Sequence, residues 1–422
     1  MKVIYCLMVM LWPFVSKGQT DRAINIGDTV PNIIFKQVLN YPTHSGVSIS
    51  EFKNKMVVFD FMTTGCMACL SLLPHFDSLQ KKFGDQIQFF LVTPETEKRV
   101  RFFLQKENIR KLNLPVIIED TLLEKLFPHT FISHEVVINK GIVTAITYPE
   151  YLTSANIESI INGKRINLLV KKDVTTFEYG KPLLVLNKVI PDFSYPASKM
   201  YSIVTSCMNN VSRRFSISYD TSLNQVRISM INLSILDLYE HALFGAEIRP
   251  AFIKLNVADT GRYVYQKQKT FLHDWRLRNS YSYEGAFPMN FTEDQIKSKI
   301  VNDLDLFLSM EGRVETNIIS CWVISNDSSV EAYNYSKSAI SGSNTIPRPV
   351  SINSITFYLN GKFGTVPVFD ETGKGDLKIK GLEQKDYTNI PVLAAKLSQY
   401  QMKITRQNRQ VRMLVITENN QK

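Results

Sequence analysis

The sequence lacks the features that mark several large protein classes. Beyond its N-terminal stretch, no apolar run is long enough to span a membrane, so we expect no transmembrane helix. Basic residues exceed acidic ones and give a formal net charge of +10, but they are scattered along the chain. A nucleic-acid-binding protein concentrates such residues on one segment or face. We therefore expect a solvated basic surface and no nucleic-acid partner.

A glycine-rich phosphate loop is also missing. The nearest pattern, Gly373-Lys374-Gly375, has no third glycine at the required spacing and indicates a turn. We expect no cofactor.

Cysteine is scarce, with five in 422 residues. Cys6 belongs to an N-terminal segment in which Met1-Lys2 precedes an apolar run over residues 3–15. Small and polar residues follow, so the pattern predicts a signal peptide over residues 1–19, without a following cysteine for a lipid anchor. We therefore expect a periplasmic or secreted protein in which four cysteines remain for disulfide chemistry.

Two of these four form a Cys-x-x-Cys pair, Cys66 and Cys69. The pair follows a continuous apolar run over residues 56–62, typical of a buried strand, and opens a helical pattern over residues 69–83. Thiols at this spacing can close a small disulfide, and a helix N-terminus stabilises the thiolate of the first. Pro74 lies inside the helical pattern and predicts a kink. We predict a redox-active dithiol; the alternative is a permanent structural disulfide or inert thiols.

Strand and helix patterns alternate around this pair. They begin at residue 33, and a hairpin over residues 136–147 and a helix over residues 154–161 complete them. Such alternation predicts an α/β fold.

The stretch over residues 27–163 resembles the secreted, TlpA-like branch of the thioredoxin superfamily. The features that carry the resemblance are Asp60 six residues before Cys66, the Cys-x-x-Cys pair, Pro74, Gly27-Asp28-x-x-Pro31 and the hairpin segment Val136–Gly141. The resemblance implies a thioredoxin-like fold. It also implies thiol–disulfide exchange with protein thiols or disulfides of the cell envelope, in the reductase direction, with electrons from an upstream donor.

The resemblance also assigns roles to residues. Cys66 would be the exposed attacking thiolate, Cys69 the resolving thiol, and Asp60 a buried carboxylate that exchanges protons with Cys69. Burial should raise the pKa of Asp60 toward neutrality. The substrate groove would be lined by Gly65, Met67, Ala68, Ser133 and His134.

Two positions depart from the family pattern. Gly65 stands where an aromatic residue usually precedes the first cysteine, and Ser133 stands where the family has a cis-proline. Because a cis bond before a non-proline residue costs roughly 2.5–4 kcal/mol, we expect this loop to run trans or to be rebuilt. Both departures favour a second hypothesis, in which the redox site is degenerate and the domain is a scaffold for an envelope partner.

Two further chemistries are weighed against dithiol exchange. Thr63-x-x-Cys66 has the threonine spacing of peroxiredoxins, but Phe59 occupies the place of their proline and no arginine can be named. Cys66, Cys69, His134 and His129 could together ligate zinc. We prefer a histidine beside a redox pair, and we predict no metal.

The rest of the chain has a different pattern of helices and strands. We predict a linker over residues 164–193 and an α+β accessory domain of unknown function over residues 194–422, which follows a thioredoxin-like domain over residues 20–163. Helix patterns precede strand patterns within 234–257, 292–325, 354–369 and 390–417, which predicts helices on a mainly antiparallel sheet. Segments 365–373 and 411–417 resemble an uncharacterised secreted domain of soil acidobacteria, and this resemblance implies no chemistry.

Cys207 and Cys321 lie in this second part. Cys321 belongs to an apolar run over residues 318–324, which is typical of a buried strand. A disulfide between the two would stabilise the fold by about 4–5 kcal/mol on the chain-entropy account. Two unpaired thiols are the equal alternative, because geometry decides pairing.

Overall fold

The computed structural model describes residues 22–42, 46–106, 109–164, 166–174, 177–183, 200–329 and 349–419. The predicted signal peptide lies outside these residues. The chain divides into two compact units, Met1–Phe177 and Glu178–Lys422.

The first unit is built on one six-stranded sheet. The described strands of the unit are β1 (Ile34–Phe35), β2 (Val38–Leu39), β3 (Val47–Ser48), β4 (Met56–Phe61), β5 (Ile87–Val92), β6 (Val116–Ile117), β7 (His134–Asn139) and β8 (Ile142–Thr147). Strands β1 and β3 pair with each other, and the other six form the sheet. Its described α-helices are α1 (Met67–Phe83), α2 (Glu97–Leu104), α3 (Leu122–Leu126) and α4 (Ser154–Ile161).

The order of the strands defines the fold of this unit. The sheet runs β2-β6-β5-β4-β7-β8. Strands β4, β5 and β6 are parallel to one another. Strand β2 on one side and strands β7 and β8 on the other continue the sheet in antiparallel pairings. A parallel half with helical crossovers, joined in one sheet to a hairpin and a last helix, is a thioredoxin-like topology. The predicted fold class is confirmed for this unit.

The central strand β4 explains why the sheet is covered on both faces. All six of its residues are buried. Because successive side chains of a strand alternate between faces, Val58 packs in one cluster with α1, α2 and α4, whereas Phe59 packs in a second cluster with α3. The continuous apolar pattern of β4 therefore reflects two cores.

The second unit contains more strands than the first. Its described strands are β9 (Tyr201–Ser206), β10 (Arg214–Asp220), β11 (Gln225–Ser234), β12 (Ile253–Asn256), β13 (Ser280–Pro288), β14 (Met310–Asn326), β15 (Val350–Ser351), β16 (Val368–Asp370), β17 (Lys378–Ile379) and β18 (Met402–Glu418). Its described α-helices are α5 (Ile235–Phe244), α6 (Leu272–Asn279), α7 (Glu293–Leu308), α8 (Ile352–Leu359) and α9 (Ile390–Ser398).

Two four-stranded sheets organise this unit. One has the order β10-β11-β13-β9 and is antiparallel throughout. The other has the order β12-β18-β14-β16 and is mixed, because its edge strands β12 and β16 pair in parallel. Strands β15 and β17 form a further two-stranded sheet. The unit is a separate, sheet-rich α/β body, but its described residues form several sheets where we expected one. The predicted strands 401–406 and 411–417 are a single strand, β18, whose polar centre pairs with β14.

Cys207 and Cys321 are free thiols in the described structure. Cys207 directly follows β9 in the antiparallel sheet, whereas Cys321 is buried in β14 of the mixed sheet. Of the two alternatives for these cysteines, the described structure therefore has the unpaired thiols. Among the described residues, no helix combines the length and apolar character needed to cross a membrane.

Candidate redox site

The site begins where β4 ends and the chain turns into α1. Thr64 holds this turn, since its N–H and its hydroxyl donate to the Glu95 carboxylate at 2.8 and 3.1 Å. Arg99 donates to the Thr64 hydroxyl at 3.1 Å and forms an ion pair with Glu95 at 2.7 Å. The turn that carries the cysteines is therefore fixed from the side by α2.

Cys66 and Cys69 form a disulfide with a Cα–Cα distance of 5.3 Å. Cys66 is the N-cap residue of α1, and the Cys69 N–H donates to the Cys66 sulfur at 3.2 Å. Cys66 is partly exposed, whereas Cys69 is fully buried. In the reduced protein, a thiolate at Cys66 would meet both this N–H group and the positive end of the helix dipole.

Three of the predicted groove residues surround the exposed sulfur. Gly65, Met67 and Ala68 are exposed, and Met67 shows 77% of its surface. Phe131 and Ile132, which the sequence analysis did not select, are also exposed apolar residues in the loop that reaches Cys69. We call Met67, Phe131 and Ile132 the apolar rim. Pro74 lies inside α1, as its sequence position requires.

The loop opposite the cysteines corrects one expectation. The Ile132–Ser133 peptide bond is cis, so the expected trans or rebuilt loop is wrong. The Ser133 hydroxyl points to the disulfide and donates to the Cys69 sulfur at 3.4 Å. Lys171 and Asp173 bind the backbone of Phe131, which directly precedes this peptide unit, and the local sequence does not show these contacts.

His134 does not join the groove. It is only 3% exposed and packs beside His129 and Phe61, with ring-centroid distances of 4.6 and 5.6 Å. Burial and the neighbouring Lys171 charge lower the pKa of His134 to about 3, so the ring is neutral. His134 alternates with Glu135 on β7 and lies on the sheet face away from α1. The structure therefore does not bring the two histidines to the cysteines as a zinc site.

A pair of buried carboxyl groups lies on the cysteine side of the sheet. Asp60 and Glu135 face each other across the antiparallel strands β4 and β7, and both are fully buried. Asp60 lies on the same face of the strand as Val58 and Met62, which pack in one core cluster with Cys69. Among the described residues, the four carboxyl oxygens have no hydrogen-bond partner outside the pair itself.

Burial controls the charge of this pair. It raises the pKa of Asp60 to about 7. It also raises the pKa of Glu135 well above its ordinary value, and the charge of Asp60 raises it further. One group that can take up or release a proton near neutral pH thus lies in the layer of the resolving cysteine.

Glu135, Lys171 and Asp173 were not predicted as residues of the site. Glu135 carried a usable signal, because this carboxylate directly precedes the apolar run 136–138 of a predicted strand. Lys171 and Asp173 gave none, since they lie in a polar stretch that we assigned to the linker.

The topology and the disulfide define a class, namely a thioredoxin-like domain with a Cys-x-x-Cys disulfide at the start of its first long helix. Neither a protein-family model nor a curated protein matches the chain. Solved structures similar to it include the thioredoxin domain of a thiol-disulfide oxidoreductase from Bacteroides vulgatus, with 20% identity over 33% of this chain and 98% of that one, and a TM-score of 0.27.

Two further examples also match about a third of the chain. One is a thiol:disulfide interchange protein of the thioredoxin family from Chlorobium tepidum, with 19% identity over 33% of this chain and 98% of that one, and a TM-score of 0.28. The other is the exposed lipoprotein thioredoxin of Streptococcus pneumoniae, with 19% identity over 32% of this chain and 99% of that one, and a TM-score of 0.27.

Proposed function

We propose that the protein is a thiol–disulfide oxidoreductase of the cell envelope that reduces disulfides in other proteins. The observation that carries the proposal is the disulfide itself, with one sulfur partly exposed at a helix N-terminus and the other buried in the layer of two carboxyl groups. The predicted signal peptide supports an envelope location, in the periplasm or outside the cell.

The reaction transfers two electrons to the substrate. In the reduced protein, the Cys66 thiolate attacks a substrate disulfide, whose S–S bond breaks as a mixed disulfide forms and one substrate thiolate leaves. Cys69, after losing its proton, attacks the Cys66 sulfur, closes the Cys66–Cys69 disulfide and releases the second substrate thiolate. The leaving thiolates take up protons, and a dithiol donor returns the protein to its reduced form.

Asp60 is the group that accepts the Cys69 proton. A general base works best when its pKa lies near the working pH, and the pKa of Asp60 is raised to about 7. Glu135 assists because its negative charge and that of Asp60 oppose each other, which keeps one carboxyl group protonated. The Ser133 hydroxyl, at 3.4 Å from the Cys69 sulfur, donates to the thiolate formed during the exchange.

The apolar rim indicates the substrate class. Three exposed apolar residues, Met67, Phe131 and Ile132, would contact a polypeptide whose own apolar residues flank its disulfide. We therefore expect protein or peptide disulfides as substrates. The accessory domain, predicted over residues 194–422, would bind a partner in the envelope.

A redox titration tests the proposal. The mature protein is equilibrated in glutathione buffers of varied ratio, and the free thiols are trapped and counted. We expect reversible reduction within the oxidoreductase range of about −120 to −270 mV, and a Cys66 pKa below about 8.5. Cys66→Ser should abolish turnover of a peptide disulfide, whereas Cys69→Ser should accumulate the mixed disulfide.

A disulfide that resists reduction in every buffer would contradict the proposal. It would favour the scaffold hypothesis, which the missing side chain at Gly65 supports, because no aromatic residue covers the exposed sulfur there. Stoichiometric reaction of the reduced protein with hydrogen peroxide would instead favour a thiol peroxidase. Arg99, which donates to the Thr64 hydroxyl, would be the candidate for the arginine of that chemistry.

A further inference from the structure

Lys171 lies in the segment 166–174, which follows α4 and runs beside β8. Its backbone N–H donates to the Ile146 carbonyl at 2.9 Å, and its side chain is buried. The ammonium group donates to the Phe131 carbonyl at 2.7 Å and to the two Asp173 carboxylate oxygens at 2.9 and 3.1 Å. A buried ammonium group is costly unless its three donors are satisfied, and here they are.

Asp173 completes the contact with the same loop. One of its carboxylate oxygens accepts the N–H groups of Thr130 and Phe131 at 2.7 and 2.8 Å. Lys171 and Asp173 thus bind both polar groups of the Phe131 backbone, the N–H and the carbonyl. We call this ion pair the loop clip.

The loop that the clip holds reaches the disulfide within two residues. Phe131 and Ile132 contribute two of the three residues of the apolar rim, and Ser133 contacts the Cys69 sulfur. A shift of the Phe131 backbone would therefore move the rim relative to the sulfurs. Among the described residues, the clip reaches the rim through the Phe131 backbone and makes no hydrogen bond to either sulfur.

We propose that Lys171 and Asp173 are positioning residues of the redox site, which hold the rim loop in the orientation that a polypeptide disulfide requires. This inference rests on the proposed function. It gives the segment 166–174, which follows the last helix of the thioredoxin-like unit, a specific task in substrate recognition.

The test compares two disulfide probes in the full mature chain. The first is a fluorescent, self-quenched peptide with one disulfide flanked by leucines, and the second is hydroxyethyl disulfide, which is too small to need the rim. Dithiothreitol regenerates the reduced protein in both assays, and its background rate is subtracted. The variants are Asp173→Asn and the double variant Lys171→Met/Asp173→Leu, which replaces the buried pair with apolar side chains and should keep the fold.

Lys172→Met is the control, because the exposed Lys172 lies between the two clip residues and its substitution changes a charge in the same segment. We expect the clip variants to raise KM for the peptide about ten-fold, as loss of an ordinary hydrogen bond does, with kcat unchanged within about two-fold. Turnover of hydroxyethyl disulfide should stay at the level of the unmodified protein. Hydrogen exchange at the Thr130 and Phe131 amides should become faster in the clip variants alone.

Two results would overturn the inference. A folded double variant with an unchanged peptide KM would show that the clip does not position the rim. An equal loss on both probes would show that the clip only stabilises the unit. If the unmodified protein reduces neither probe, the proposed function itself fails, and this result is separate from any effect of the variants.

Discussion

Two polar clusters lie on opposite faces of the same strand, and they differ in how their charges are satisfied. On one face, Glu135 and Asp60 are buried and have no hydrogen-bond partner other than each other among the described residues. On the other, next to His134, Lys171 and Asp173 satisfy each other and the Phe131 backbone. Of two adjacent residues of β7, Glu135 thus belongs to the carboxyl pair on one face, and His134 contacts the ion pair on the other.

The way in which a buried charge is satisfied indicates whether the group is a candidate for chemistry. A buried ion pair adds little net stability, but it fixes the backbone to which it is bound, and removal of one partner is costly. A buried carboxyl pair with no hydrogen-bond partner outside the pair lowers stability whenever it ionises, so we infer that proton exchange is the reason for its presence.

The largest expected effect concerns the ion pair. Lys171→Met should lower the free energy of unfolding by about 3–5 kcal/mol, because it leaves the Asp173 charge buried without its partner. The double variant Lys171→Met/Asp173→Leu should recover most of this loss. Urea unfolding of the unmodified protein, the two variants and Lys172→Met measures the effect. A small loss in Lys171→Met, within about 1 kcal/mol, would contradict the distinction between the clusters.

Substitution of Asp60 in the carboxyl pair should have the opposite effect and raise the free energy of unfolding at neutral pH. Because the pKa of Asp60 is raised to about 7, its proton is held in the folded state over a pH range in which the unfolded chain has released it. The unmodified protein should therefore lose stability as pH rises from about 4 to about 7. Asp60→Asn should remove the part of this loss that Asp60 causes, with a gain of roughly 4 kcal/mol above pH 7 and none below pH 4, whereas the part due to the raised pKa of Glu135 remains.

Urea unfolding of Asp60→Asn between pH 4 and pH 8 checks this prediction. Asp85→Asn is the control, because Asp85 is fully exposed beside β5. A stability difference between Asp60→Asn and the unmodified protein that does not change with pH would show that Asp60 is not protonated in the folded state.

The same substitution should slow the exchange reaction. If Asp60 accepts the Cys69 proton, Asp60→Asn should lower the rate of mixed-disulfide resolution by about 100-fold near pH 7, the lower end of what a positioned base contributes. Quenched-flow trapping of the mixed disulfide measures this step directly. Attack by Cys66 should be little changed, and an unaltered resolution rate would remove Asp60 from the mechanism.

The sequence predicted the parts of the site that are local in the chain. The buried strand, the Cys-x-x-Cys turn and the helix that follows it are contiguous, and α4 has the predicted bounds, Ser154–Ile161. The partner of Asp60 could not be predicted, because Glu135 reaches it through the long-range pairing of β4 with β7. Lys171 and Asp173 were hidden for the same reason, since only the tertiary fold brings them to Phe131.

The smallest expected effect concerns a surface ion pair near the same turn. Arg99 and Glu95 lie at 2.7 Å, but the Arg99 side chain is 62% exposed, and solvent screens such a pair. Arg99→Ala should therefore lower the free energy of unfolding by less than about 1 kcal/mol, although Arg99 also donates to Thr64. Arg101→Ala, which removes the exposed pair with Glu97 one turn away, is the matched control for urea unfolding. A loss in Arg99→Ala as large as that in Lys171→Met would mean that distance between charges, and not their burial, sets the contribution of ion pairs in this unit.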